Sequence, residues 1–215
     1  MHTIKIWFNL KFDIISKEIC LSGNRINYVY GRKIGLVKLF ISRFYNCVGR
    51  YKAYKKVRWG EVRRLVFICH GNICRSAYAE ARARHIGLSA ASAGLGADRG
   101  GKANPQAIKV AFNRKIDLQF HKTTNVDDLV ISEGDLFLCM EPSQAILVEN
   151  LLGKNARQQV SLLGLWSEEK RPFLQDPYEL LDEYWDTCFN IIDSALSRIR
   201  LNAVNSGAKV IISGK

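Results

Sequence analysis

The stretch Leu65-Val66-Phe67-Ile68-Cys69-His70-Gly71-Asn72-Ile73-Cys74-Arg75-Ser76 decides the fold. Its first four residues are an unbroken apolar run, the composition of a short strand buried on both faces. Residues 76–85, built of Ala, Glu and Arg around one Tyr, read as a helix. A buried strand, a loop with one glycine and a helix form the opening of a βαβ unit, which assigns the strand to a parallel sheet.

Downstream the alternation continues. Residues 89–94 are a second strand, and Asn104-Pro105 opens a helix to about residue 115, with proline at the first helical position. Residues 136–140 read as a third strand, 142–152 as a helix stopped by Gly153, and 160–163 as a fourth strand. A final helix is expected over 178–200, with Leu181, Tyr184, Trp185, Cys188, Ile192, Ala195 and Ile199 on one face. The expected fold is α/β, a single three-layer domain at 64–200 with a four-stranded parallel sheet and helices on both faces. Residues 201–215 are a tail, in which Val210-Ile211-Ile212 fits either an edge strand or loose chain.

Charge separates this unit from what precedes it. The 215 residues carry 32 Lys and Arg against 20 Asp and Glu, a net +12. Residues 1–63 hold 14 basic and 3 acidic residues, a balance of +11, and the rest hold 18 and 17. The first 63 residues are therefore a basic N-terminal extension. Within it, Ile34, Val37, Ile41, Phe44, Val48 and Tyr51 form the stripe of an amphipathic helix near 33–58, surrounded by Lys38, Arg43, Arg50, Lys52, Lys55 and Lys56. Such a stripe either docks on a neighbouring core or lies on an anionic membrane surface. The tyrosines there form no nucleic-acid module, so nucleic acid is not an expected partner.

Composition excludes several classes. With 47% hydrophobic and 24% charged residues, neither disorder nor a fibrous repeat fits. Lys5, Lys11 and Asp13 interrupt any signal-peptide run, and no apolar stretch approaches the ~20 residues of a membrane span. The expected location is cytoplasmic, at the inner face of the membrane if the basic helix binds lipid. The six cysteines are dispersed, which fits reduced thiols, and none forms a zinc-spaced cluster. No metal and no cofactor is expected.

The chemistry lies in the loop. Cys-x5-Arg alone arises by chance about 0.45 times in a chain with this many Cys and Arg, so spacing carries little weight. Its position between strand and helix carries more, because successive N–H groups at a helix N-terminus converge on one point and bind a phosphate-sized dianion. The same donors favour a thiolate at the centre. Arg75 supplies a planar fork for two phosphate oxygens, Ser76 a hydroxyl for the sulfur, and Gly71 a tight turn. Cys69 then attacks phosphorus and forms a phosphocysteine that water hydrolyses. The leaving group needs an acid, and Asp176 in Gln175-Asp176-Pro177-Tyr178 lies in a loop on the same edge; it also fits a simple helix N-cap.

The run 66–76, Ser92-Ala93-Gly94 and Asp176-Pro177-Tyr178, in that order, resemble the low-molecular-weight protein tyrosine phosphatases over about residues 64–200. Leu163-Gly164-Leu165-Trp166 is most similar to bacterial members of exopolysaccharide clusters, which dephosphorylate a tyrosine autokinase. The resemblance implies Cys69 as nucleophile, Arg75 as phosphate and transition-state ligand, and Asp176 as acid then base. It implies a phosphate cradle of Gly71, Asn72, Ile73, Cys74 and Ser76, an aromatic wall at Tyr178, and a phosphotyrosine protein, such as a membrane tyrosine kinase, as partner. His121 resembles the histidine that braces the loop asparagine, although a packed core histidine fits as well. Cys74 resembles a second loop cysteine that pairs reversibly with the nucleophile in some members, or it only packs.

The chain departs from the pattern in three places: Ala77 where proline is usual, Glu179 where a second aromatic is common, and Asp98 with Arg99 in residues 95–102, expected to form the other cleft wall. Arsenate reduction on the same fold needs relay thiols, and Cys139 and Cys188 are 49 positions apart. A phosphate-binding membrane regulator is the non-enzymatic alternative.

Overall fold

Strand β1 (Arg64–Cys69) lies between β2 (Ala90–Gly94) and β3 (Asp135–Cys139), and β4 (Gln159–Leu162) pairs with β3 from the far side. All three pairings are parallel, in the order β2-β1-β3-β4. The computed structural model describes residues 23–153 and 159–210.

The period-2 alternation of the strands divides the core into two layers. Leu65, Phe67, Leu136 and Leu138 point into one cluster with Tyr78, Ala79 and Ala83 of α3 (Arg75–His85) and Ala107, Val110 and Ala111 of α4 (Pro105–Asn113). The last helix, α6 (Asp182–Asn205), packs there too, stacking Phe189 on Tyr78 with ring centroids 3.8 Å apart. Val66, Ile68, Phe137 and Cys139 point the other way, against Ala145 and Val148 of α5 (Pro142–Leu152). Helices thus cover both faces of the sheet. At its N-terminal edge Arg64 gives Nε and Nη2 to the buried carboxylate of Asp135, at 2.8 and 2.6 Å, fixing the β1–β3 register.

The final helix begins at Asp182, four residues later than its periodicity suggests. Residues 178–181 are a turn instead: Asp176 Oδ1 accepts the Tyr178 N–H at 3.1 Å, Leu180 N–H reaches Pro177 O, and Glu179 takes φ 56°. The helix runs past residue 200 to Asn205, because the first breaker is Gly207 at φ 65°. Beyond it Val210 is buried and its carbonyl accepts the Ser89 N–H at 2.7 Å; Ile211 and Ile212 lie outside the described residues.

The extension contributes α1 (Gly23–Tyr30), α2 (Lys33–Cys47) and two 3-10 turns, Ala53–Lys55 and Trp59–Glu61; residues 1–22 lie outside the described part. The helix expected near 33–58 ends at Cys47, with Gly49 at φ 85° just beyond. Its orientation also differs from the docked reading. Ile34, Val37, Ile41, Phe44 and Val48 are 43–61% exposed, and of the stripe only Tyr51 is buried. The seated face is Gly35, Leu36, Leu39 and Ser42, with Leu36 and Leu39 clustered on Ile26 and Tyr30. Gly35 explains the choice: a Cβ there would stand 2.2 Å from Tyr30 O and 3.3 Å from Gln175 Oε1, so only a side-chain-free position permits this approach.

The rest of the extension reaches both faces of the sheet, Tyr51 on the α5 side and Trp59 against the opposite cluster. Tyr51 joins the cluster of Val66 and Ile68, Ser161 Oγ donates to Tyr54 O at 2.6 Å, and Trp59 meets Trp166 edge-on at 5.0 Å. Among the described residues no helix is long and apolar enough to cross a membrane.

Candidate active site

Cys69 ends β1 opposite Gly94 of β2, and its neighbour Ile68 faces Cys139 at the end of β3. β2 and β3 leave this point on opposite sides of β1, the switch in strand order where open α/β sheets bind ligands. Gly94 is required there, since a Cβ would lie 2.5 Å from His70 O and 2.9 Å from Asn72 N.

From Cys69 the loop curls around the sulfur and enters α3 at Arg75. Asn72 N–H points at Cys69 Sγ from 3.2 Å, and Ser76 Oγ lies 2.9 Å from it. Both are donors to a thiolate, and the positive end of α3 faces the same spot. Asn72 holds the curl. It adopts φ 55°, is fully buried, and gives Nδ2–H to Ser76 Oγ and Ser92 Oγ, both at 2.8 Å. Its Oδ1 accepts the Thr124 N–H at 2.8 Å, and His121 Nε2 stands 2.8 Å from its backbone oxygen. His121 therefore touches the loop asparagine through the main chain. The Asn72 side chain is held by Ser76, Ser92 and Thr124.

Arg75 is buried and nearly saturated. Nη1 donates to Glu141 Oε1 at 2.7 Å and to Leu174 O at 2.8 Å, while Nη2 meets Asp176 Oδ2. Burial opposes its charge, but Asp176, Cys69 and Glu141 outweigh it, and its pKa sits above the ordinary arginine value. Nε is buried with no partner among the described residues, so Nε–H and the second Nη2–H remain as donors for an oxyanion. Cys74 is buried in the apolar cluster under the loop. Burial foremost, with Asp176 and Cys69 adding, pushes its thiol up from 9.0, and Cys69 and Cys74 are both free thiols.

A cavity of about 260 Å³ opens over the sulfur, lined by Cys69, His70, Gly71, Ile73, Cys74, Asp176 and Tyr178, together with Gln175, Leu180 and Arg32. The expected second wall at 95–102 does not line it. A Cβ on Gly96 would lie 3.0 Å from the His70 ring, so His70 packs over that segment, and Arg99 turns to Asp128 at 2.6 Å. The wall comes from the extension and the 175–180 loop. Sequence reasoning assigned no role to Ser92, Thr124, Glu141 or Arg32. Ser92 had a signal in its Ser-Ala-Gly motif; the others act only through tertiary contacts. Among the described residues no three His, Cys, Asp or Glu gather as a metal site.

A cysteine at a strand end, ringed by N–H and hydroxyl donors with an arginine and a carboxylate beside it, is an arrangement that suits a cysteine-dependent phosphomonoesterase. Residues 64–208 match the family model "Low molecular weight phosphotyrosine protein phosphatase". The chain belongs to that family and is a phosphoric monoester hydrolase. It is 36% identical over 145 residues to the probable phosphatase EpsP of Ralstonia nicotianae, covering 65% of this chain and 97% of that one. Wzb of Salmonella typhi is 30% identical over 132 residues, 60% of this chain and 87% of its own. Among solved structures, AmsI of Erwinia amylovora superposes with TM-score 0.56 at 27% identity over 67% of this chain and 93% of that one. Wzb of Escherichia coli K30 in complex with sulphate gives TM-score 0.56 at 29% identity, over 66% and 98% of the two chains.

Proposed function

We propose that this chain hydrolyses phosphotyrosine on a protein through a phosphocysteine on Cys69. The observation that carries the reading is the Cys69 sulfur between the Asn72 N–H and the Ser76 hydroxyl, in one cavity with Asp176 and beside buried Arg75. The phosphoryl group sits in the cradle of Gly71, Asn72, Ile73, Cys74 and Ser76, its oxygens taken by loop N–H groups and Arg75. The sulfur lone pair forms the S–P bond as the P–O bond to the phenol breaks, and Asp176 gives its carboxyl proton to the leaving oxygen. Water then attacks phosphorus, Asp176 takes its proton, the S–P bond breaks, and inorganic phosphate leaves with the thiolate restored. Tyr178 walls the ring, and His121 positions the loop through Asn72 O.

Acid quench of the enzyme with a 32P-labelled phosphotyrosine peptide tests this. Label should be trapped on the protein and absent from Cys69→Ser. Undiminished turnover by Cys69→Ser removes the mechanism. The arsenate-reductase and non-enzymatic alternatives are not favoured: the named relatives are tyrosine phosphatases, and Cys139 and Cys188 are both buried.

The likeness to Wzb, EpsP and AmsI, with Leu163-Gly164-Leu165-Trp166, supports a tyrosine autokinase of polysaccharide export as substrate. A substrate of that kind supports a cytoplasmic enzyme peripheral to the inner membrane face. The outward stripe Ile34, Val37, Ile41, Phe44 and Val48, bordered by exposed Lys33, Lys38, Arg50 and Lys52, supports contact with an anionic bilayer.

A further inference from the structure

The phosphatase cavity has a wall that lies outside the family-matched segment. Arg32, at the elbow between α1 and α2, lines the same 260 Å³ space as Cys69 and Asp176. Its position is fixed by packing. Gly31 precedes it at φ 77°, and a Cβ there would lie 2.4 Å from Leu180 Cδ1 and 3.3 Å from Gln175 Cγ, so the elbow is pressed against the loop that carries Asp176. Arg32 Nη2 donates to the Glu179 carbonyl at 3.1 Å. That bond uses one of five guanidinium N–H donors and leaves the charge without a carboxylate partner among the described residues.

The guanidinium is exposed, whereas Cys69 and Arg75, which define the phosphate site, are buried. A phosphotyrosine whose phosphate reaches Cys69 must bring its flanking residues past that guanidinium. Arg75 is already paired with Glu141 and Asp176, so Arg32 is the cavity-lining cation with charge to spare. We propose that Arg32 is a specificity-determining residue that recognises a carboxylate side chain next to the phosphotyrosine of the protein substrate. The proposal rests on the phosphotyrosine reading above and adds the sequence context of the substrate. A contact of this kind adds uniform binding, so it acts on KM and leaves the chemical step unchanged.

The test compares two phosphotyrosine peptides, one with Asp on both sides and one with Asn, on full-length protein and on Arg32→Ala and Arg32→Glu. Wild type should favour the acidic peptide in kcat/KM by about two- to fivefold, through KM, and the preference should shrink in high salt. Arg32→Ala should abolish the preference and Arg32→Glu should reverse it. An equal preference in wild type and Arg32→Ala, or none in wild type at low salt, overturns the proposal. A fall in kcat for both peptides alike in Arg32→Ala also overturns it, because that marks a loop brace rather than a recognition contact. Failure of wild type to hydrolyse either peptide is a separate result, which overturns the phosphotyrosine reading and this proposal with it.

Discussion

Asn72 of the loop and Ser92 of β2 are joined by a buried hydrogen bond of 2.8 Å, and through it the catalytic loop is tied to a strand twenty residues away. Ser92 Oγ in turn donates a hydrogen bond to Glu80 Oε2, and Asn72 also holds Ser76 and the Thr124 N–H. Asn72→Ala strands several buried partners at once and should cost about 2–3 kcal/mol of stability, with kcat falling in parallel. Asn72→Gly keeps the φ of 55° available but restores no bond. Urea midpoints and kcat for the two variants separate the roles, and a fully active glycine variant would show that backbone conformation alone matters.

Asp176→Asn removes the proton donor and keeps most of the shape. The loss in kcat should reach about 10²- to 10⁴-fold for alkyl-substituted phenyl phosphates and shrink for nitrophenyl phosphates, whose phenolates leave unprotonated. A plot of log kcat against leaving-group pKa, steeper in the variant, is the expected record. Equal slopes would mean that another group supplies the proton.

The thiols differ in their surroundings. Of the described thiols Cys47 is exposed and Cys69, Cys74, Cys139 and Cys188 are buried; burial pushes the last three above the ordinary 9.0. Iodoacetamide at neutral pH should modify exposed Cys47 and Cys69, which lines the cavity beside two donors, spare Cys74, Cys139 and Cys188, and be blocked by inorganic phosphate at Cys69 alone. Because the folded pKa values are raised, their contribution to stability is complete below the unfolded value near 9 and is lost as pH rises beyond it. Each thiol should remove about 1.4 kcal/mol per pH unit there. Replacing Cys139 with Ala should flatten the alkaline limb of a urea-midpoint profile; an unchanged limb would show that this thiol is not involved.

Gly31→Val places a branched side chain against Leu180 and Gln175 at a backbone conformation it rarely adopts. We expect a destabilisation of about 1–3 kcal/mol and a fall in kcat through displacement of the Asp176 loop, with the alkylation rate of Cys69 unchanged. Slowed alkylation would place the damage in the phosphate loop instead.

Ile41→Asp and Phe44→Asp alter only the outward stripe of α2. Co-sedimentation with vesicles of phosphatidylglycerol and phosphatidylcholine should drop about tenfold for Phe44→Asp, the value of one buried aromatic side chain. Turnover of a soluble aryl phosphate should not change. Equal pelleting of wild type and both variants would remove the bilayer as the partner of this face.

Much of this architecture was legible in the chain because its strands are short apolar runs and its loops carry glycine or proline at their ends. Cys69, Arg75 and Asp176 were legible from type and order, and they do meet, although 101 positions separate the last two. Three things were not legible, each for a physical reason. The stripe of α2 has the right period, but periodicity cannot say which face is seated, and Gly35 decided that by permitting backbone approach. The start of α6 slipped because residues 178–181 have helix-compatible side chains but are consumed by an Asx turn on Asp176. The cleft wall at Arg32 came from outside the unit that appeared self-sufficient, through a contact 147 positions long.

The bond from Ser89 N–H to Val210 O sits beside β2, the outer strand of the sheet. An outer strand with free amides is a template for another chain, and buried Val210 covers its entry with the molecule's own C-terminal segment. Shortening the protein to the end of its last helix would therefore leave the nucleophile in place and expose an adhesive edge, making the enzyme more prone to aggregate.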